Sequence, residues 1–349
     1  MKTLNVKCIG FGEDLNKSNF ILDILSQRYN IVHSNKPDWV ICSVFPDYYA
    51  YTKYDCPRIF FSGENIAPDF NVVDYAISFN RMNFEDRYIS YPLCLVYHLI
   101  GKNGEFIDIS NRGLSIDDKN ILENKDIFCN FIYSKQSENN IRESFFEQLN
   151  SKYKPVASAG KYLNNIPGGN PLAGRHGSDS KIDFQKRCKF TIAFENEQAN
   201  GYCTEKIVDA FVANTIPIYF GAPYVNEIFN PEAFINVSDF NNYDDVIEYI
   251  SKLDNDDDAY MKMLTAPIFT DPTLPQKRYN ELCEFLHNIF DQEPSNAIRR
   301  SRYKYTKDHN DRLYGLSVLT RGRVKRKLYK LFCTVSLDGL KGVFRALKM

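Results

Sequence analysis

The sequence predicts a two-lobed α/β protein built on parallel sheets. Two observations carry this. Short apolar runs alternate with helix-spaced apolar residues, and a polar stretch before the middle of the chain divides that alternation into two series. Strands that alternate with helices imply βαβ units, because parallel neighbours need a crossover. The 349 residues, 44% apolar and 25% charged, are enough for two ordinary folded domains.

In the first series, residues 4–11 read as a strand. Residues 19–28 read as a helix, with Phe20, Ile21, Ile24 and Leu25 at helical spacing. Residues 39–44, 58–61 and 75–79 are further strands. Residues 101–124 carry Gly-Lys-Asn-Gly and the pair Asp117-Asp118, and read as a connector. The second series opens with a strand at 126–133 and a helix at 140–149 bearing Ile141, Phe145, Phe146 and Leu149. Residues 160–177 form a loop with Gly168-Gly169 and two prolines. A strand at 190–194, a helix at 204–213 and a strand at 216–220 follow, with late helices at 245–253 and 279–290. The expected domains are 1–120, 121–295 and a tail at 296–349. Two such lobes set a ligand cleft beyond the carboxyl ends of their strands.

Net charge is −1, so nothing global points to nucleic acid. From 297 to 349, however, 15 Lys/Arg stand against 3 Asp, which leaves the first 296 residues at −13. Beyond Val324 the apolar residues Leu328, Leu331, Phe332, Val335, Leu340, Val343, Phe344 and Leu347 recur near helical spacing among lysines and arginines. That is the pattern of a basic amphipathic helix lying on an anionic membrane surface; the alternative is a helix docked on the acidic body. No run of 18 apolar residues and no secretory signal is visible. The nine cysteines lack paired spacing and read as buried thiols in a reducing compartment. The expected location is the cytoplasm, peripheral at the inner face of the cytoplasmic membrane.

Residues 189–221, KFTIAFENEQANGYCTEKIVDAFVANTIPIYFG, carry the most chemistry. They form a strand, a polar loop, a helix and a second strand. Thr204 stands where an N-cap belongs, with Glu205 and Lys206 opening the helix. Unpaired helix N–H groups beside a lysine suit a phosphate, and Glu205 suits sugar or ribose hydroxyls. Equally, Thr204 is a simple cap and the next two residues a solvated turn. The five histidines show no ligand spacing. The acidic run 254–258 reads as a solvated loop, and no metal site is expected.

The segment resembles the donor-binding signature of the α-1,3/4-fucosyltransferases of glycosyltransferase family 10, above all their soluble bacterial members. The matching elements are Phe194-Glu195-Asn196, Gly201-Tyr202-Cys203-Thr204-Glu205-Lys206-Ile207 and Ile216-Pro217-Ile218-Tyr219-Phe220-Gly221. A second block, Phe61-Ser62-Gly63-Glu64-Asn65 with Pro68, Phe70-Asn71 and Asp74-Tyr75-Ala76-Ile77, lies more than 100 residues upstream. The resemblance spans roughly residues 55–255. It implies a GT-B fold, two Rossmann-like lobes facing across a cleft, and an inverting α-1,3 transfer of fucose from GDP-fucose. The implied acceptor is the GlcNAc of an N-acetyllactosamine-type glycan, as on bacterial lipopolysaccharide.

Roles follow residue by residue. The resemblance makes Glu64 the general base, and Arg142 a clamp on the pyrophosphate, which a guanidinium can bind through two oxygens at once. Asn196 and Tyr202 would touch the donor, Glu205 its hydroxyls and Lys206 its phosphates. No cofactor is required on this reading, and Mn²⁺ or Mg²⁺ would at most stimulate. The alternatives are a family member with α-1,4 linkage or another nucleotide sugar, and a catalytically silent glycan- or nucleotide-binding module. Oligomeric state is not legible.

Overall fold

The computed structural model describes all residues except 13, 46–48, 111, 118–119, 169–171, 173–178, 321, 323–324, 326, 330 and 334–349. The chain separates into two compact units. The first comprises residues 1–78, 82–89 and the chain from 283 onward; the second comprises 79–81 and 90–282.

The first unit begins with β1 (Thr3–Ile9), in which Leu4, Val6 and Cys8 alternate inward. Then comes α1 (Phe20–Ser26), capped by the Asn19 side chain accepting the Leu22 N–H at 3.3 Å and burying Ile21, Leu22, Ile24 and Leu25. β2 (Asn30–His33), β3 (Trp39–Cys42), β4 (Arg58–Phe61), β5 (Tyr75–Ser78) and β6 (Tyr88–Ser90) complete the sheet in the order β2-β1-β3-β4-β5-β6. Neighbours from β2 to β5 run parallel. β3, β4 and β5 are buried at every position, as strands covered on both faces must be. Strand order reverses between β1 and β3, which opens a ligand position beyond their carboxyl ends. Gly10 lies there with φ +86°; a Cβ would approach the Ser43 carbonyl oxygen to 2.3 Å.

The second unit contains α2 (Asn120–Glu123), β7 (Ile127–Phe131), α3 (Ile141–Lys152), β8 (Val156–Ser158), α4 (Asp179–Lys186) and β9 (Cys188–Phe194). It continues with α5 (Glu205–Val212), β10 (Ile216–Phe220), β11 (Ile235–Asn236), α6 (Tyr243–Asp254) and α7 (Asp257–Thr265). Its five strands are all parallel, in the order β11-β10-β9-β7-β8. The reversal here falls between β7 and β9. Fully buried aromatic side chains fill the core, with Phe145 of α3 stacked on Phe194 of β9 at 5.0 Å.

The chain then runs through α8 (Leu274–Phe290) back into the first unit and on to α9 (Lys304–Leu319). Two devices hold this return. Lys2 donates to the carbonyls of Phe290, Asp291 and Gln292 at 3.0–3.2 Å, placing a cation on the carboxyl end of α8. The buried Asp74 carboxylate accepts the backbone N–H of Arg58 (2.8 Å), Arg299 (2.8 Å) and Arg300 (2.9 Å), and also the Arg300 guanidinium.

Three expectations change. Residues 90–120 do not join the first unit: the Cys94 N–H donates to the Cys203 carbonyl (3.0 Å), and Arg112 closes the end of α7 through the Leu264 and Ala266 carbonyls. The run 254–258 is not a solvated loop. Asp254 is buried between Lys154 and Lys189, and Asp256 caps α7 by accepting the Ala259 N–H at 3.0 Å. The tail does not start at 296 either, since Arg300 is buried on Asp74 and Asn310 of α9 accepts from Arg58. Of the amphipathic stretch beyond Val324, the described Leu328, Leu331 and Phe332 are exposed; Val324 and 334–349 lie outside the described residues.

Removing one member of a buried, hydrogen-bonded ion pair strands the other charge at a cost of about 3–5 kcal/mol. Asp74→Ala is therefore expected to destabilise the first unit by that amount, read as an earlier transition in urea denaturation.

Candidate functional site

The reversal between β7 and β9 collects most of the anticipated donor residues. Past the end of β7 stands Tyr133, buried, its hydroxyl accepting the Phe194 N–H (2.9 Å) and lying 3.0 Å from the Ile192 and Phe194 carbonyls. Burial pushes the phenol up to about 12, with Arg142 pulling the other way. Tyr133 is thus bolted to β9, and its ring face supports Arg142, whose guanidinium carbon sits 4.3 Å from the ring centre. Arg142 is the second residue of α3. The loop before it is tied down by Glu143, whose buried carboxylate accepts the Ser137 N–H (2.8 Å) and its hydroxyl.

Arg142 is only 6% exposed. Its nearest polar partner is the Asn196 amide oxygen at 3.4 Å, its Nε has no hydrogen-bond partner, and no carboxylate among the described residues pairs with it. A buried cation without a counter-charge is costly, and Arg142 carries that cost in this structure. Asn196 itself is exposed, one residue past Glu195.

Glu195 follows β9 directly and is buried. Its carboxylate accepts the Thr204 N–H (2.6 Å), the Thr204 hydroxyl (2.8 Å) and the Lys206 ammonium (2.9 Å). Thr204 therefore occupies the N-cap position of α5 with extended backbone but does not cap it. Its hydroxyl turns to Glu195 and accepts from Lys206 at 2.7 Å. The nearby Glu205 carboxylate lies 3.7 Å from the same ammonium. Burial alone would lower the Lys206 pKa; Glu195 and then Glu205 outweigh it and hold it above the ordinary lysine value.

The loop before α5 is shaped by Gly201 and Tyr202. Gly201 has φ +86°, and a Cβ there would meet the Phe79 carbonyl oxygen at 2.2 Å, so only glycine fits. Tyr202 is buried edge-on against Phe79 at 5.1 Å. Farther along α5, buried Asp209 accepts from Lys181 of α4 (2.6 Å) and pairs with His98 (2.8 Å), fixing the helix from its other end.

Known families match most of this chain. Residues 6–97 match the alpha-(1,3)-fucosyltransferase FucT N-terminal domain, and residues 122–300 match the glycosyltransferase family 10 (fucosyltransferase) C-terminal domain. The chain belongs to the family 10 fucosyltransferases.

Among relatives, the family 10 chain is 32% identical over 278 residues to an alpha-(1,3)-fucosyltransferase of Helicobacter pylori, covering 71% of this chain and 56% of that protein. It is 27% identical over 209 residues to a putative fucosyltransferase of Acanthamoeba polyphaga mimivirus, covering 59% of this chain and 34% of the relative. The chain thus spans about half or less of the length of these two relatives. A solved α1,3-fucosyltransferase with GDP-fucose is similar with a TM-score of 0.64 and 28% identity, covering 86% of this chain and 94% of that one. The GT-B expectation agrees with that likeness and with the two parallel sheets.

Of the anticipated residues, Arg142 and Asn196 are neighbours, and Glu205 and Lys206 share one turn with Thr204. Tyr202 is a packed ring. Glu64 belongs to the first unit, exposed in the turn after β4, where its N–H donates to the Ser62 hydroxyl at 3.0 Å and its carbonyl accepts the Ile66 N–H at 2.7 Å. Sequence reasoning missed Tyr133, for which an aromatic at a strand end is no signal. It also left open Glu195, which the segment Phe194-Glu195-Asn196 had flagged without a role.

At Gly201 both the positive φ and the close carbonyl oppose a side chain, and strain of this kind costs about 1–3 kcal/mol. Gly201→Ala is expected to lower stability by at least that amount in denaturant titration.

Proposed function

We propose that this family 10 chain is an inverting α-1,3-fucosyltransferase that moves fucose from GDP-fucose to the GlcNAc of an N-acetyllactosamine-type glycan. The observation that carries the reading is Arg142, a buried guanidinium that lacks a carboxylate and stands beside Asn196 at the β7/β9 reversal. A pyrophosphate supplies the missing counter-charge, bound through two oxygens. Lys206 adds a second cation, and Glu205 offers a carboxylate to donor hydroxyls. The name of the Helicobacter pylori relative and the GDP-fucose bound to the solved neighbour support the same donor.

The chemistry then runs in one displacement. The fucose of GDP-fucose is β-linked, and attack by the acceptor oxygen from the opposite face forms an α-linkage as the bond to GDP breaks. Glu64 takes the acceptor proton, a contribution of roughly 10²–10⁴-fold. Negative charge gathering on GDP falls to Arg142 and Lys206, groups already oriented before reaction. On this reading transfer needs no metal. The exposed Leu328, Leu331 and Phe332, with Lys325 and Lys327 exposed among them, favour a membrane-facing tail on a cytoplasmic enzyme that modifies lipopolysaccharide. Among the described residues, no helix is long and apolar enough to cross a membrane.

The deciding assay is GDP release from GDP-fucose by purified protein, with N-acetyllactosamine, lacto-N-biose or no acceptor. Release with N-acetyllactosamine and an α-1,3 product is expected, persisting in EDTA; preference for lacto-N-biose would move the linkage to α-1,4. GDP binding with no release on any acceptor would favour a silent module. Glu64→Gln is expected to cut turnover by about 10²–10⁴-fold with GDP affinity unchanged. Arg142→Met should instead weaken GDP binding by about 1.5–3 kcal/mol, the worth of a charged hydrogen bond, without lowering the melting temperature.

A further inference from the structure

We propose that Glu195 is a positioning residue for donor binding, one that acts by aiming the Lys206 ammonium while touching no ligand itself. The inference rests on the reading above, in which the first turn of α5 receives the donor diphosphate.

The geometry is specific. An ammonium has three N–H donors and no acceptor. In Lys206 one donor goes to Glu195 (2.9 Å) and a second to the Thr204 hydroxyl (2.7 Å), while Glu205 at 3.7 Å lies beyond hydrogen-bond reach. One N–H therefore remains, and with the other two fixed its direction is fixed as well. The Thr204 hydroxyl closes the triangle by donating to Glu195 at 2.8 Å, and the Thr204 backbone N–H donates to the same carboxylate. A free lysine side chain has many rotamers to lose on binding a phosphate. Here that loss is taken when the protein folds.

Glu195 itself cannot move aside. It is 2% exposed, and its backbone N–H is held by the Phe220 carbonyl at 2.8 Å. Across from it, Gly221 approaches so closely that a Cβ would lie 2.5 Å from the Glu195 Cγ. The residue after β10 is thus a glycine where the carboxylate needs room.

Two roles for Glu195 make opposite demands on its charge. As a neutraliser, it weakens the attraction of Lys206 for phosphate, so removing its charge should tighten GDP. As a positioner, it makes the lysine a better ligand, so removing its charge should weaken GDP. Glu195→Gln keeps the shape and an acceptor for Thr204 but gives up the ion pair.

The test is a double-mutant cycle on the full chain, with GDP affinity measured by calorimetry and folding by melting temperature. Wild type, Glu195→Gln, Lys206→Met and the double variant are compared. Glu195→Gln is expected to weaken GDP on the order of tenfold, to raise KM for GDP-fucose more than it lowers kcat, and to add no further loss in the Lys206→Met background. Glu195→Asp, which keeps the charge at shorter reach, should restore part of the affinity. Unchanged or tighter GDP in Glu195→Gln, or losses that add in the double variant, would overturn the proposal while leaving the donor assignment in place. A wild-type chain that fails to bind GDP would overturn both together.

Discussion

The first turn of α5 and the loop before it depend on one buried carboxylate. Glu195 stands at the end of β9, under the first turn of α5 and against the glycine that ends β10, and it binds donors from the loop and from the helix. A lone carboxylate in that place would be prohibitively unfavourable. With a backbone N–H, a hydroxyl and an ammonium around it, the burial becomes a constraint that few alternative conformations satisfy. The loop from Asn196 to Tyr202 has to return Thr204 and Lys206 to the same point, and Gly201 is the residue that lets it turn there.

The arginines show how differently buried cations can be satisfied. Arg58 gives its guanidinium to the carbonyls of Thr52, Tyr54 and Val72, and Arg300 gives its own to Asp74. Both are buried and both are satisfied within the first unit. Arg142 is as deeply buried, rests on an aromatic face, and keeps its Nε unpaired. The same side chain in the same degree of burial reads differently because of what surrounds it. Topology explains the location: both sheets place the second strand outside the first, and in the second unit the resulting gap lies beside Arg142 and Asn196.

Legibility in the sequence followed burial and length. The strands at 58–61 and 216–220 were readable residue for residue, because each is a short apolar run closed by polar or glycine residues. β2 is a largely exposed edge and β8 and β11 have three residues or fewer, so no alternation could mark them. α4 and α9 carry too narrow an apolar stripe to announce a helix; in α9 the buried positions are Asn310 and Ser317. α7 hid behind the acidic run, whose first member is buried on lysines contributed by distant segments. In the site, Glu205 and Lys206 stand within the motif, whereas Arg142 lies outside it and was singled out only by the family resemblance. The direction in which Thr204 points was not legible, since a threonine before a helix caps it unless a buried carboxylate competes for its hydroxyl.

The first unit is sewn together from both ends of the chain, and this bears on the order of its assembly. Trp39 packs on Phe290 at 4.7 Å, Lys2 closes α8, and Asp74 waits for Arg299 and Arg300. On the ribosome, the amino-terminal strands emerge more than 200 residues before these partners. The second unit, by contrast, is one almost unbroken stretch, complete once Leu282 has left the exit tunnel. Synthesis therefore delivers the whole second unit before the first has all its partners, reversing the usual amino-terminal-first sequence. Until residues 290–300 emerge, the β1 to β5 sheet lacks the partners of Trp39, Lys2 and Asp74.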